Sequence, residues 1–285
     1  MDPSASTPPP LYAVIDMGST SIRMAIAEVN EGEAPRTIDE VQQPVAIGNA
    51  VFTRGRIGIE TTEACVSALQ RFCLLLDEYR IAPDHIRAVA TSAVREASNR
   101  RIFLDRILIA TGIRVEPIDE AEVNRLTYMN LAPMLRSSAD VGEDRTLLVE
   151  IGGGTTDVLY LEEGHVAYSH TYRLGSLRMR EMLEHFRAPV IRERRILENH
   201  ITRTLKHLGT EVERCPNMAL VAQGWDVRFA AVLLKPNWDE DGLAKISVAK
   251  LAQLVDTLLA RSVEELVERY QLSLEEAETV GPALL

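Results

Sequence analysis

No apolar run in this chain approaches the roughly 20 residues that a membrane-spanning helix needs, so no transmembrane segment is expected. The opening stretch, MDPSASTPPP, has neither a basic start nor an apolar core, which argues against a secretory signal peptide. Its consecutive prolines, Pro8 to Pro10, cannot enter a helix or a central strand, and residues 1–10 read as a disordered tail. Cysteine is scarce: Cys65, Cys73 and Cys215 form no CxxC pair, which excludes a disulfide framework and a zinc site. Cys65 and Cys73 fall in a helical apolar pattern and are expected as buried thiols. The histidines are scattered without metal-ligand spacing. Positive charge is also short, with 31 Lys and Arg against 42 Asp and Glu and a net charge of −11. That balance argues against a protein that coats nucleic acid. It leaves room for a phosphorylated substrate, because such a site needs only a few arginines and converging backbone N–H groups. The expected address is the cytoplasm, with no membrane and no nucleic-acid partner.

What remains is the composition of an ordinary globular protein, 46% hydrophobic and 26% charged over 285 residues, enough for one large or two medium domains. LYAVIDMGSTSIRMAIAEV (Leu11–Val29) predicts a buried strand, a turn at Gly18 and a second strand of period two. ETTEACVSALQRFCLLLDEYRI predicts a helix with a threonine cap, and IRAVATSAV a strand running into a loop. NRRIFLDRILIATGI predicts a helix capped by Asn99, RVEPI a short strand, and DEAEVNRLTYMNLAPMLR a helix with acids in its first turn, where the macrodipole favours them. The small polar stretch SSADVGEDR (Ser137–Arg145) is the expected domain boundary, giving one domain over 11–136 and a second over 145–285. Strands follow at Thr146–Ile151, Asp157–Leu161 and HVAYSHTY. Helices are expected from about Leu177 and from Pro189, then a strand NMALVA, a helix after Gly224 and a helical tail in which Ser273 and Glu276 form a capping box.

The two halves repeat. DMGSTSIR (Asp16–Arg23) superposes on EIGGGTTD (Glu150–Asp157), acid on acid and Gly18 on Gly152, each between two apolar strands. A turn of small residues lets N–H groups converge on an anion, and serine and threonine hydroxyls add donors. It is neither a Walker loop nor a dinucleotide fingerprint, because a strand follows rather than a helix. A plain hairpin is the alternative for one such turn; two equivalent turns, each opened by a carboxylate, point to anion binding. A hard divalent cation such as Mg²⁺, which takes oxygen ligands and bridges to phosphate, would account for Asp16, Glu150 and Asp157 at the ends of apolar strands. Duplicated α/β domains would place the two turns on opposite sides of one cleft.

YAVIDMGSTSIRMAI, VATSAVREASN, IDEAEVNRLTY, LLVEIGGGTTDVLYL and YRLGSLRMRE, in this order, resemble the exopolyphosphatase/guanosine pentaphosphate phosphohydrolase (Ppx/GppA) family from Leu11 to the C-terminus. The resemblance implies an α/β fold of two ribonuclease H-like, actin-like ATPase domains around a central cleft. It implies Mg²⁺-dependent release of terminal phosphate from polyphosphate or guanosine pentaphosphate. Gly18, Ser19, Thr20 and Arg23 match the first phosphate loop, with Thr20 where asparagine is usual. Thr91, Ser92, Ala93 and Arg95 match a second stretch, whose arginine is expected to turn a guanidinium to phosphate, a bidentate task. Gly152, Gly153, Gly154, Thr155 and Thr156 match the second phosphate loop, and Arg178 a later arginine.

Departures accompany the match. Glu150 stands where aspartate is usual and Asp157 where glutamate is usual; Gly224–Trp225–Asp226 replaces a G-G-T, with Trp225 expected to crowd that place. Anchored on Arg125, Leu126 and the aromatic after them, the family's catalytic glutamate falls on Val123, which cannot take a proton from water and predicts impaired turnover. Glu122 is rotated by about 100° from that position. Glu120 lies three residues back and Glu150 could lean in, so the base stays open among the three. The family's last strand and its R-E-G turn are missing, which fits a chain short by nature or one that continues; a bare sheet edge would suit a homodimer. Two rival functions stand beside the hydrolase: a non-catalytic sensor of polyphosphate or a guanosine alarmone, and a nucleotide-dependent assembly protein.

Overall fold

A computed structural model describes residues 9–30, 32–138, 145–186, 190–206, 208, 218–239 and 242–285. Residues 1–8 of the expected tail, residues 139–144 of the expected boundary, and Cys215 lie outside the described residues. The chain divides into two compact units, Met1–Asp119 and Glu120–Leu285.

In the first unit β1 (Leu11–Met17), β2 (Ser21–Glu28), β3 (Arg36–Pro44), β4 (Ile86–Ala90) and β5 (Val115–Pro117) form one sheet in the order β3-β2-β1-β4-β5. Strands β1, β2 and β3 pair antiparallel; β4 and β5 continue parallel to β1. The period-two reading of β2 holds, with Ile22, Met24 and Ile26 buried. Strand β1, expected to be buried, is buried on one face only: Ala13, Ile15 and Met17 are fully buried, while Tyr12 and Val14 on the other face are exposed. The buried face packs on α2 (Ile59–Glu78) and α4 (Arg100–Thr111), which bring Leu69, Phe72, Phe103 and Ile107. Cys65 is buried and Cys73 half-buried; burial pushes the Cys65 thiol up to about 12, so neither is placed as a nucleophile.

Three local expectations change. Helix α2 is entered from Gly58 rather than from a threonine, and the Thr62 hydroxyl donates back to Gly58 O at 2.8 Å. Asn99 does take the N-cap position of α4, but its side chain does not cap the helix: its amide makes both bonds to the backbone of Ile57, at 2.9 Å each. After β4 the chain enters a short helix, α3 (Ser92–Glu96), instead of a loop. Strand β3 and the helix after it, α1 (Ile47–Arg54), have no counterpart among the expected elements.

The second unit opens with α5 (Glu120–Ser137) and holds β6 (Arg145–Ile151), β7 (Thr156–Glu162), β8 (His165–Tyr172) and β9 (Ala219–Gln223) in the order β8-β7-β6-β9. The order and the strand directions repeat those of β3-β2-β1-β4. The duplication reaches detail: the bulge between Ile26 and Ala27 in β2 recurs between Tyr160 and Leu161 in β7, at the same offset that carries Asp16 onto Glu150. Leu148, Leu159, Leu161 and Val221 on one face of this sheet pack against Leu131 of α5. Leu147, Val158 and Tyr172 on the other pack against α6 (Ser176–His185) and α7 (Val190–Thr204).

The remaining helices, α8 (Trp225–Leu234), α9 (Val248–Leu259), α10 (Val263–Tyr270) and α11 (Leu274–Leu284), share a cluster around Leu258, Leu266 and Val280. The stretch from Ser247 to Tyr270, expected as continuous helix, breaks where Ser262 and Glu265 form a capping box; the box expected at Ser273 and Glu276 is present. Arg180 of α6, almost buried, donates to Glu278 of α11 at 2.7 Å and ties this helical layer to the sheet. No helix among the described residues is long and apolar enough to cross a membrane.

Asp226, in the first turn of α8, is 5% exposed, and burial raises its carboxyl from 3.8 to about 7, with Glu276 adding to the rise. The folded state therefore holds this proton more tightly than the unfolded chain. The associated stability is complete below about pH 4 and is lost as pH rises through about 7. Asp226→Asn is expected to leave stability nearly unchanged at pH 4 and to raise it at pH 8, by at most about 4 kcal/mol. Urea unfolding at the two pH values checks this; an equal effect at both would be the wrong outcome.

Candidate functional site

Each unit carries one glycine turn at the C-terminal end of its central strand. In the first, Gly18 N donates to Ser21 O at 3.0 Å; in the second, Gly152 N donates to Thr155 O at 2.9 Å. An added Cβ would meet the same carbonyl at 3.3 Å in both turns.

What orients the turns is a neighbouring helix. Helix α6 has no side-chain cap, and its first amides find acceptors in the second turn instead: Ser176 N donates to Gly152 O at 3.0 Å and Arg178 N to Gly153 O at 3.1 Å. The Arg178 side chain adds Nε to Gly154 O at 2.9 Å, so this arginine braces the turn. In the first unit Gly48 N, at the start of α1, donates to Ser19 O at 2.8 Å and Val45 N donates to Thr20 O at 3.0 Å. All described peptides are trans, so a carbonyl and the next N–H point in opposite directions. Carbonyls committed to α6 therefore turn the N–H groups of Gly153, Gly154 and Thr155 the other way. The same logic turns out those of Thr20 and Ser21. Each unit thus presents a small row of amide hydrogens with no side chain behind the glycines, which is the makings of an anion nest.

Two glycines outside the turns make this packing possible. A Cβ on Gly175 would lie 2.3 Å from Gly153 O and from Gly154 C, backbone against backbone. Gly224 has φ +129° and would put a Cβ 2.4 Å from Ile151 O. Trp225 beside it stacks on Phe229 at 5.6 Å and is 38% exposed.

The carboxylates sit at the roots of the turns. Glu150 and Asp157 are directly opposed on β6 and β7, and Asp16 opposes Arg23 on β1 and β2. Glu150 lies on the face covered by α5 and accepts a hydrogen bond from Thr127 Oγ1. Asp157 is buried and accepts from Thr171 Oγ1 at 2.5 Å. Thr156 Oγ1 donates to Leu174 O at 3.2 Å. Among the described residues no group of three His, Cys, Asp or Glu side chains could hold a metal by itself. Carboxylate oxygens are nonetheless the donors Mg²⁺ takes, and it commonly needs only one or two of them, with waters and phosphate completing the shell.

The first turn is brought together with the stretch after β4. Ser19 and Ser92 are both buried, with their hydroxyls 3.3 Å apart. Thr91 N donates to Met17 O at 3.2 Å, and Arg95 Nη1 to Ile118 O at 2.9 Å. Of the three carboxylates considered as base, Glu120 is exposed on α5 and Glu122 is held bidentate by Arg125 at 2.7 Å on both oxygens. Glu150 is the one at a turn. Val123 is half-buried on α5. Thr127, Thr171 and Gly175 were not among the expected site residues; Gly175 could have been found from the quoted L-G pair, the two threonines only from the sheet register.

The model of the Ppx/GppA phosphatase family matches residues 25–285. Exopolyphosphatase 2 of Mycobacterium tuberculosis is 28% identical over 214 residues, which cover 71% of this chain and 65% of that protein. A guanosine-5'-triphosphate,3'-diphosphate pyrophosphatase of Aliivibrio fischeri is 29% identical over 167 residues, 59% of this chain and 32% of that one. The chain thus spans from about a third to just under two thirds of these curated relatives' length. An exopolyphosphatase from Cytophaga hutchinsonii superposes with a TM-score of 0.81 at 21% identity, over 96% of this chain and 88% of that one. The Aquifex aeolicus member of the Ppx/GppA family does so with a TM-score of 0.72 at 24% identity, over 96% and 87%. The fold is the two-domain actin-like ATPase fold, as the sequence motifs implied.

Gly175→Ala is expected to push the second turn off α6, lowering stability by about 1–3 kcal/mol as overpacking does. Chemical denaturation measures the loss, and a change within error of zero would mean that Gly175 does not set the turn.

Proposed function

We propose that this chain, which belongs to the Ppx/GppA phosphatase family, hydrolyses terminal phosphoanhydride bonds of inorganic polyphosphate or guanosine pentaphosphate. One observation carries the reading. Two duplicated turns each have their carbonyls tied back, by a helix start in both cases, so that amide hydrogens are left for an anion. Nothing in the folding of a hairpin requires that arrangement twice at equivalent places; phosphate binding does.

In this reading Gly18, Ser19, Thr20 and Arg23 of the first unit, with Ser92 and Arg95, receive phosphate oxygens. Gly152, Gly153, Gly154, Thr155 and Thr156 do so in the second. Asp16, Glu150 and Asp157 would hold Mg²⁺, whose contribution when bound is to neutralise the charge that builds on the phosphoryl oxygens. Phosphoryl transfer asks little covalent chemistry of a protein, so positioning and electrostatics supply most of the acceleration. Thr127, by fixing Glu150, and Thr171, by fixing Asp157, hold the two carboxylates in place while substrate and product exchange.

Val123 favours a second reading, a protein that binds polyphosphate or a guanosine alarmone without cleaving it, because the place of the family's glutamate holds an aliphatic side chain. Phosphate release from long-chain polyphosphate and from guanosine pentaphosphate separates the two. Slow release is expected from the wild type, and a rise of ~10²–10⁴-fold in Val123→Glu, the worth of a general base. Release from neither protein, with polyphosphate still bound tightly, would leave only the binding function. Gly153→Val is expected to abolish binding in either case; retained affinity would remove the turn from the site.

A further inference from the structure

The sheet-facing stripe of α5 contains one residue that neither the hydrophobic core nor the carboxylate pair accounts for. Asn124 is 6% exposed, and its Oδ1 is buried with no hydrogen-bond partner. A buried acceptor left unmade is costly, and native proteins keep such groups where a ligand or water completes them.

Its neighbours place it along the strand. Leu131 packs in the cluster of Leu148 and Leu159, and Thr127, four residues earlier, bonds to Glu150, two residues later on β6. Four residues of helix rise about 6 Å and two of strand about 6.6 Å, so α5 runs antiparallel to β6 in step with it. Asn124 lies three residues before Thr127 and seven before Leu131, on the same helical face. Three residues further along the same track, about 4.5 Å, carry it past Glu150 to the level of Ile151 and Gly152, at the foot of the row of turned-out amides that starts with Gly153. Val123 is the preceding residue, rotated by about 100° and only half-buried.

We propose that Asn124 is a catalytic residue that orients the attacking water through its Oδ1 at the second glycine turn, taking over the positioning part of the role that Val123 cannot fill. The inference rests on the hydrolase reading above. An amide cannot remove a proton, but it can hold a water in line, as the glutamine of small GTPases does. The water oxygen forms a bond to the terminal phosphorus. The bridging P–O bond breaks and its electron pair leaves on the shortened chain. The water proton passes to an oxygen of the released phosphate rather than to the protein.

Asn124→Leu tests this with two readouts. If Oδ1 has no partner in the free protein, an apolar replacement of similar size leaves the melting temperature unchanged or higher. The same variant is expected to lose ~10²-fold or more in kcat for polyphosphate with KM nearly unchanged, as removal of a group acting on the reacting water does. In the Val123→Glu background the loss from Asn124→Leu is expected to shrink, because a carboxylate there positions the water itself. A lowered melting temperature with KM and kcat falling together would mean a structural amide and overturn the proposal. So would wild-type kcat in Asn124→Leu. Release by Val123→Glu but none by the wild type would overturn the role of Asn124 alone; release by neither would overturn the hydrolase reading and this role with it.

Discussion

The planarity of a trans peptide governs which way the amides of the two glycine turns point. Once the carbonyls of Gly152, Gly153 and Gly154 are tied to the start of α6, the N–H groups that follow them have a single direction left. The same helix start gains, because its first amides would otherwise lack acceptors and no side chain caps them. One set of bonds therefore finishes a helix and turns out the amide row to which the proposed function assigns phosphate. In the first unit α1 stands in the place of α6, again without a side-chain cap, and Ser19 O serves its Gly48 N–H. The absence of capping side chains at two corresponding helices is a consequence of the turns occupying the caps.

This coupling explains the distribution of glycine around the site. Gly175 is needed because helix start and turn meet backbone to backbone, and Gly224 because the end of β9 closes over the Ile151 carbonyl. Side chains at either position would lift the turn from its support. The sheet contributes the other half of the geometry. Parallel pairing of β6 with β9 and antiparallel pairing with β7 make β6 a central strand, so Glu150 at its end is fixed in register and in face. Rigid elements thus deliver a carboxylate pair and an amide row to one place within the second unit.

The sequence made the strand–turn–strand units legible because buried period-two runs flank small residues in both, and the repeat of acid, glycine and hydroxyl residues tied them together. It hid β3 and α1. β3 is an edge strand whose inner face, Asp39, Val41 and Gln43, is only half-buried and mostly polar, so its hydropathy does not alternate, and α1 is a short helix with Gly48, a poor helix former, in its first turn. The break at Ser262 was passed over because the apolar period runs on across it, although its capping box has the spacing that identified the one at Ser273. The expected boundary at 137–145 and the division at Asp119/Glu120 differ by one helix: α5 groups with the second unit through Thr127 to Glu150 and Tyr128 to Gly164 O. A polar linker can be read from composition, whereas the sheet on which a helix lies is a tertiary fact. Asn124 was invisible for the same reason, since asparagine within a helix reads as surface until its face is known.

The exchange of the two carboxylates has a geometric resolution. Where the family pattern has aspartate then glutamate, this chain has Glu150 then Asp157, and the two are directly opposed across β6 and β7. Opposed residues have Cβ atoms about 4.5–5.5 Å apart, so a methylene moved from one side to the other leaves the combined reach of the pair unchanged. What shifts is the midpoint, toward β7. The hydroxyl partners follow the change: Thr127 approaches from α5 to the longer Glu150, and Thr171 from β8 to the shorter, buried Asp157. Each threonine constrains one carboxylate oxygen, so the pair keeps its two charges at a defined spacing. Two substitutions that look like separate losses when read along the chain are one compensated change when read across the sheet. Val123 has no such compensating partner, and among the departures it is the one on which the proposed hydrolysis turns, because it lies on α5, the helix that also carries Thr127 to Glu150.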